Sequence, residues 1–358
     1  MRWALTKDQL DFQRDLAGWL DHVADSAQVR DWCASGPSDY LEALTEAGWL
    51  AGGIPEELGG AGGGLVEVAL ATEAMAARAV PSGAWTASLI ALPALAAIPG
   101  RVAELIEEGA YAAAAVRADA APDGPTSVTA DGDGRLTGRV PLVLGAASAR
   151  TLIVPAAGPD GSLGLYAVDS QALGLHLDPR TLLDASRDAA DVTMDDTPGT
   201  ALDLDVRAIL AEMALRAAVI VSADSLGAAQ RMLDLAVEYS QQREQFGVPI
   251  GSFQAVKHAA ATILVGVEAA RSIVYPAAAA VETGSEMALP YAAAAKAQVG
   301  AAAVAAADSA LTMHGAIGYT WEHDLQLYYK RAKLNGTLFG STAQWNERLA
   351  GLLDLVPA

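Results

Sequence analysis

Along this chain the spacing of apolar and polar residues changes rhythm twice. Over residues 1–108 the apolar positions recur at helical spacing, as in Leu10, Leu16, Leu20 and Val23, behind a Thr6-Lys7-Asp8-Gln9 segment that reads as a capping box. From 109 to 203 the rhythm shortens to β-leaning runs at 126–130, 136–144, 151–155, 163–168 and 192–194. Turn signals separate them, including Asp131-Gly132-Asp133-Gly134 and Pro159-Asp160-Gly161. From 204 to 358 helical spacing returns, with Leu226, Ala229, Leu233, Ala236 and Val237 on one stripe. The pattern predicts an α+β protein: an N-terminal helical domain (1–108), a middle antiparallel β-domain (109–203) and a C-terminal four-helix bundle (204–358).

Composition narrows the classes of function. The 358 residues are 52% hydrophobic, enough for a substantial core and too apolar for a disordered chain. A net charge of −20 argues against nucleic acid or an anionic lipid surface as partner. Cys33 is the single cysteine, so no disulfide framework exists, and no Cys/His cluster has zinc spacing. His314 and His323 lack partners at metal spacing, and no metal is expected. The polar, amphipathic N-terminal stretch is unlike a signal peptide. The longest apolar run, residues 83–99, contains Pro93 and reads as a core helix rather than a membrane span. The expectation is a cytoplasmic protein. The glycine tract at 59–64 has no following Lys-Ser/Thr pair and reads as a turn, not a phosphate loop.

Chemistry concentrates at residues 243–258, REQFGVPIGSFQAVKH. An arginine, an aromatic and a glutamine flank a tight Gly/Pro turn between two helical patterns. A guanidinium fork suits phosphate oxygens, and an aromatic ring suits a planar base. Arg243 as a helix cap and Phe246 as a core residue is the plainer alternative.

Three motifs together resemble the acyl-CoA dehydrogenase family. Glu46-Ala47-Gly48-Trp49-Leu50 with Pro55-Glu56-Glu57-Leu58-Gly59-Gly60 is similar to its N-terminal domain. Tyr239, Arg243, Gln245-Phe246-Gly247, Ile250 and Phe253-Gln254 resemble its bundle motif, and residues 314–323 its second glycine-rich motif. The resemblance implies a flavoprotein that oxidises the Cα–Cβ bond of an acyl-CoA thioester, with FAD shared across a subunit interface. It implies that Arg243 meets the FAD pyrophosphate, Phe246 packs near the adenosine, Gln254 hydrogen-bonds it, and Thr312 and Gly315 line the same nucleotide. Thr312 stands where the family often has Gln, and Ala316 replaces a second glycine.

Other family positions are changed. The segments matching the flavin-contacting stretches read Ala114-Ala115-Val116-Arg117-Ala118 and Pro141-Leu142-Val143-Leu144-Gly145, with no Trp in the β-domain. Phe339 falls where the family places its catalytic glutamate, and Ala217 where some members place the base instead. Hence no catalytic residue is assigned. Asp224, two helical turns past Ala217, is the alternative base, and Glu212 a weaker one. Trp321 and Trp345 are expected as core or interface aromatics, and Glu322 and Arg331 as structural ion pairs or caps. The losses resemble the non-catalytic subunit of actinobacterial heterotetramers, whose substrates include steroid side-chain CoA thioesters. The expected partners are then a homologous catalytic subunit, an acyl-CoA and an electron-transfer flavoprotein. A self-sufficient homo-oligomer using Asp224, or a flavin-free scaffold subunit, are the alternatives.

Overall fold

The computed structural model describes residues 4–353; the first three residues of the amphipathic N-terminal stretch lie outside it. Six helices come first: α1 (Lys7–Val23), α2 (Ser26–Ser35), α3 (Ser38–Glu46), α4 (Leu65–Ala76), α5 (Gly83–Leu95) and α6 (Arg101–Glu107). Thr6 and Gln9 close the expected capping box, each side chain bonding the other's backbone N–H. Leu16 and Leu20 are fully buried, whereas Leu10, on the same stripe, is half exposed. The glycine tract is a turn, as expected: Gly59 has φ +87° and a Cβ on Gly60 would collide with the Ile54 carbonyl. Every residue of α5 except Ser88 and Pro93 is buried, so the long apolar run is a core helix.

Eight strands follow: β1 (Tyr111–Ala114), β2 (Val128–Ala130), β3 (Arg135–Leu144), β4 (Ala149–Ala157), β5 (Leu163–Asp169), β6 (Leu175–Arg180), β7 (Ala189–Pro198) and β8 (Thr200–Ala201). They form one sheet in the order β6-β7-β3-β2-β4-β5-β8, with β1 paired to β4. The sheet is not purely antiparallel: β1 and β2 both run parallel to β4. Neither is joined to β4 by a hairpin, so no turn enforces antiparallel pairing. Leu136, Val140, Val143, Leu152, Val154 and Val192 alternate inward to form its core.

The C-terminal part holds α7 (Val206–Gln242), a two-stranded ribbon of β9 (Glu244–Gln245) and β10 (Val248–Pro249), then α8 (Gln254–Glu282), α9 (Ala288–His314), α10 (Leu325–Asn335) and α11 (Thr342–Ala350). Three helices are long; α10 and α11 replace the single fourth helix expected, because the chain turns at Phe339 and Gly340, both with positive φ. Fully buried alanines at 292, 293, 295, 307 and 310 let α9 pack closely. By length and composition α8 is apolar enough to cross a membrane, with 44% of its apolar window buried.

By packing the chain forms two compact units. One contains residues 1–30, 69–80 and 218–358; the other contains residues 31–68 and 81–217.

Candidate functional site

The segment after α7 folds as a hairpin. Val248 pairs with Gln245 and Pro249 with Glu244, leaving Phe246-Gly247 as a two-residue turn. Both turn residues have positive φ, +54° and +80°, the backbone that such tight hairpins require. Glycine accepts it freely; phenylalanine is a poor choice for the turn's sake. Phe246 is also 93% exposed, its ring meeting solvent on one side and the edge of Phe253 at 6.1 Å on the other. Arg243 anchors the base of the hairpin through its backbone: its N–H donates to the Tyr239 carbonyl at 2.9 Å, and its carbonyl accepts from Ile250 N–H at 2.8 Å. Its side chain is left to solvent.

Beside the hairpin runs a groove of about 500 Å³, lined by Phe246, Ile250, Phe253, Asp308, Thr312 and Met313 among others. Of the expected nucleotide residues, Phe246 and Thr312 line this groove. Arg243 and Gln254 border it in sequence, at the hairpin base and the first turn of α8. Gly315 ends α9 with φ +67° and ψ −144°, a backbone open to glycine almost alone, and nothing stands within 4 Å of where its Cβ would be. Thr312 donates its hydroxyl to the Asp308 carbonyl at 2.8 Å, so only its oxygen lone pairs face a ligand. Asp308 was not singled out in the sequence, although it lies one helical turn before Thr312.

At the C-terminal end of α9, Tyr239 stacks on His314 at 4.7 Å, and His323 meets His314 edge-on at 4.6 Å. His314 Nδ1 donates to the Ala310 carbonyl at 2.7 Å, and His323 Nδ1 accepts the Leu325 N–H at 3.1 Å. Burial, the largest cause for each, holds both imidazoles below their ordinary range. Among the described residues no group of three or more potential metal ligands occurs.

The position compared with the catalytic glutamate is differently built. Phe339 is 3% exposed and has φ +51°. Its carbonyl accepts Trp345 Nε1–H at 2.9 Å. Lys296, buried in α9, donates from Nζ to the Asn335 carbonyl at 3.1 Å and the Gly340 carbonyl at 2.9 Å, and burial pushes its pKa down to about 8. The alternative base Asp224 is buried too, accepting Asn335 Nδ2–H at 2.7 Å and standing 3.9 Å from Arg331 Nε. A neighbouring guanidinium lowers the proton affinity of a carboxylate and so makes it a weaker base than an unpaired one in a dry pocket. Arg331 is thus the structural ion pair expected of it, and Trp345 is core. Trp321 is 73% exposed, under the Lys330 ammonium at 3.9 Å. Glu212 is exposed on α7.

The segments compared with the flavin-contacting stretches spend their donors within the protein. The N–H groups of Ala115, Ala118 and Gly145 go to the carbonyls of Ile153, Leu142 and Asp188, each at 2.8 or 2.9 Å. Leu142, in a bulge with φ +53°, gives its N–H to Asp191 Oδ1 at 2.9 Å. Asp191 also accepts from Arg180 at 2.6 Å and Arg139 at 2.5 Å. The Arg180 hydrogen bond, then the Leu142 N–H, hold this carboxyl well below the usual range. A flavin ring needs donors along its pyrimidine edge, and these segments offer mostly apolar side chains, several occupied N–H groups, and in Arg117 a guanidinium already paired with Asp119. The hairpin groove differs from these segments in having an exposed ring at Phe246 and an exposed arginine at Arg243.

Comparison with known proteins gives matches to two family models: the acyl-CoA dehydrogenase N-terminal domain over residues 6–98, and the acyl-CoA dehydrogenase C-terminal domain over residues 208–350. The chain is similar to the acyl-CoA dehydrogenase IpdE2 of Mycolicibacterium smegmatis, with 33% identity over 83% of this chain and 81% of that protein. It is also 32% identical to the acyl-CoA dehydrogenase FadE34 of Mycobacterium tuberculosis, over 98% of this chain but 48% of that protein. It therefore spans about half the length of that relative. Among solved structures, the Tcur3481-Tcur3483 steroid ACAD superposes with a TM-score of 0.87 and 26% identity over 97% of each chain.

Proposed function

The chain belongs to the acyl-CoA dehydrogenase family, FAD-binding oxidoreductases acting on CH–CH bonds, and from that premise we propose that it is a subunit lacking the catalytic carboxylate. In this reading it completes the FAD site of a homologous catalytic chain, in a heterotetramer that introduces a Cα–Cβ double bond into a bulky, steroid-type acyl-CoA. Electrons then pass to an electron-transfer flavoprotein.

Phe339 carries the reading. A buried phenylalanine cannot take a proton, and the turn around it is fixed by Trp345 and Lys296 rather than left open to a substrate. The exposed hairpin supports it from the other side, since Phe246 and Arg243 present a ring and a cation to something outside this chain. Two relatives add weight. The match to FadE34 leaves room in that protein for a further unit as long as this one, and the Tcur3481-Tcur3483 steroid ACAD joins two names in one enzyme.

In this account FAD supplies the hydride-accepting chemistry when bound. This chain's residues only hold its nucleotide end: Arg243 at the pyrophosphate, Phe246 and Gln254 at the adenosine, Thr312 and Gly315 alongside. Flavin content of the co-purified complex tests the assignment. Arg243→Ala is expected to lower flavin retention at least tenfold while leaving the complex assembled, because a bidentate charged contact is worth about 1.5–3 kcal/mol. Undiminished flavin in that variant would remove Arg243 from the site.

A further inference from the structure

Resting on the nucleotide reading of the hairpin groove, a selection problem arises that the groove itself addresses. FAD and coenzyme A both carry adenosine 5′-diphosphate. They differ at the ribose, whose 3′-hydroxyl is free in FAD and phosphorylated in coenzyme A. A subunit holding the adenosine of one in the presence of the other must tell them apart. We infer that Asp308 makes this groove selective for adenosine with free ribose hydroxyls and against 3′-phosphorylated adenosine.

Asp308, on α9 one turn before Thr312, lines the same groove as Phe246, with 57% of its side chain exposed. Lys333 Nζ, from α10, holds its two oxygens at 2.7 and 2.9 Å, and Tyr329 donates its hydroxyl at 3.4 Å. These fix the carboxylate's orientation, but neither lines the groove. A bound ligand therefore meets the acceptor oxygens first. Ribose hydroxyls can donate to them; a phosphate dianion has no proton to give and is repelled. The Thr312 oxygen, its proton already committed, adds a second acceptor in the same wall. At a surface-like dielectric, one like charge a few ångströms away, partly offset here by the Lys333 ammonium, costs roughly 1–3 kcal/mol, or about tenfold to a hundredfold in affinity.

Titration of the chain with AMP and with adenosine 3′,5′-bisphosphate at one ionic strength, read by ligand-observed NMR, tests this directly. The expected result is that AMP binds at least about tenfold more tightly. Asp308→Asn, of equal size, brings the two within about twofold, and Asp308→Glu keeps the gap. Equal affinities in the unaltered chain, or a gap that Asp308→Asn leaves intact, would overturn the selectivity while leaving the groove a nucleotide site. Binding of neither compound at millimolar concentration, or AMP binding unaffected by Phe246→Ala, would overturn the groove reading and the selectivity with it.

Discussion

The hairpin groove and the turn at Phe339 are both backbone-strained parts of the same compact unit, and they are finished in opposite ways. Each carries a phenylalanine at positive φ next to a glycine at positive φ. At the hairpin the ring is 93% exposed and the arginine below it uses only its backbone internally. At the second turn the ring is 3% exposed, and Lys296 and Trp345 bond three of the surrounding carbonyls. Strain of this kind persists only where the surroundings hold it or where it serves a contact. The first turn leaves its ring exposed, and the second is held closed by its neighbours. Under the proposed function a receiving site and a retired one would share a backbone device and differ in what surrounds it.

That contrast makes stability and function separable. The largest effect is expected in the closed region. Asp224→Ala leaves Arg331 buried without its countercharge and should lower unfolding free energy by about 3–5 kcal/mol, measured by chemical denaturation. If the loss were under about 1 kcal/mol, the closed turn would not be a stability element. Phe339→Glu should also destabilise and should give no turnover, since the segments compared with the flavin contacts remain unchanged; robust dehydrogenation by that single variant would refute the β-domain reading. Next comes Trp345→Phe, which strips the Phe339 carbonyl of its donor at a cost of about 1–3 kcal/mol.

The pH dependence follows from the same region. Lys296 has its folded pKa pushed down to about 8, so between about pH 8 and 10 the unfolded chain binds more protons and stability rises with pH, by up to about 1.4 kcal/mol per unit. Tyr111, raised by burial to about 12, opposes this only once unfolded tyrosine ionises near pH 10. Lys296→Met should abolish the rise. His314 and His323 are depressed, so stability falls as pH drops below about 6.5. The smallest effect belongs to the open region: Phe246→Asn, which suits positive φ, should change stability by no more than about 0.5 kcal/mol.

Local signals were legible in the sequence because their physics is local. The Thr6–Gln9 box and the Asp131 and Asp160 turns each depend on residues within a few positions; at 243–258 the tight turn between helices was legible, but not the two-stranded ribbon that flanks it. Strand β1 was hidden because Tyr-Ala-Ala-Ala has no β signature; its pairing to β4 supplies one. Strand β6 was hidden by Pro179 and its exposed polar residues, which only a sheet edge tolerates. The Lys296 clamp was illegible for another reason: its acceptors are backbone carbonyls 39 and 44 residues away, and a carbonyl carries no sequence signature. Asp308 could have been found from its i, i+4 relation to Thr312, had its helix been laid out first.

The visible absorption spectrum of the chain purified alone, and again after co-expression with a homologous chain bearing the glutamate, tests the central claim most directly. The account predicts a colourless chain alone and stoichiometric flavin only in the complex. A yellow, stoichiometrically flavinylated chain that dehydrogenates an acyl-CoA without any partner would contradict it.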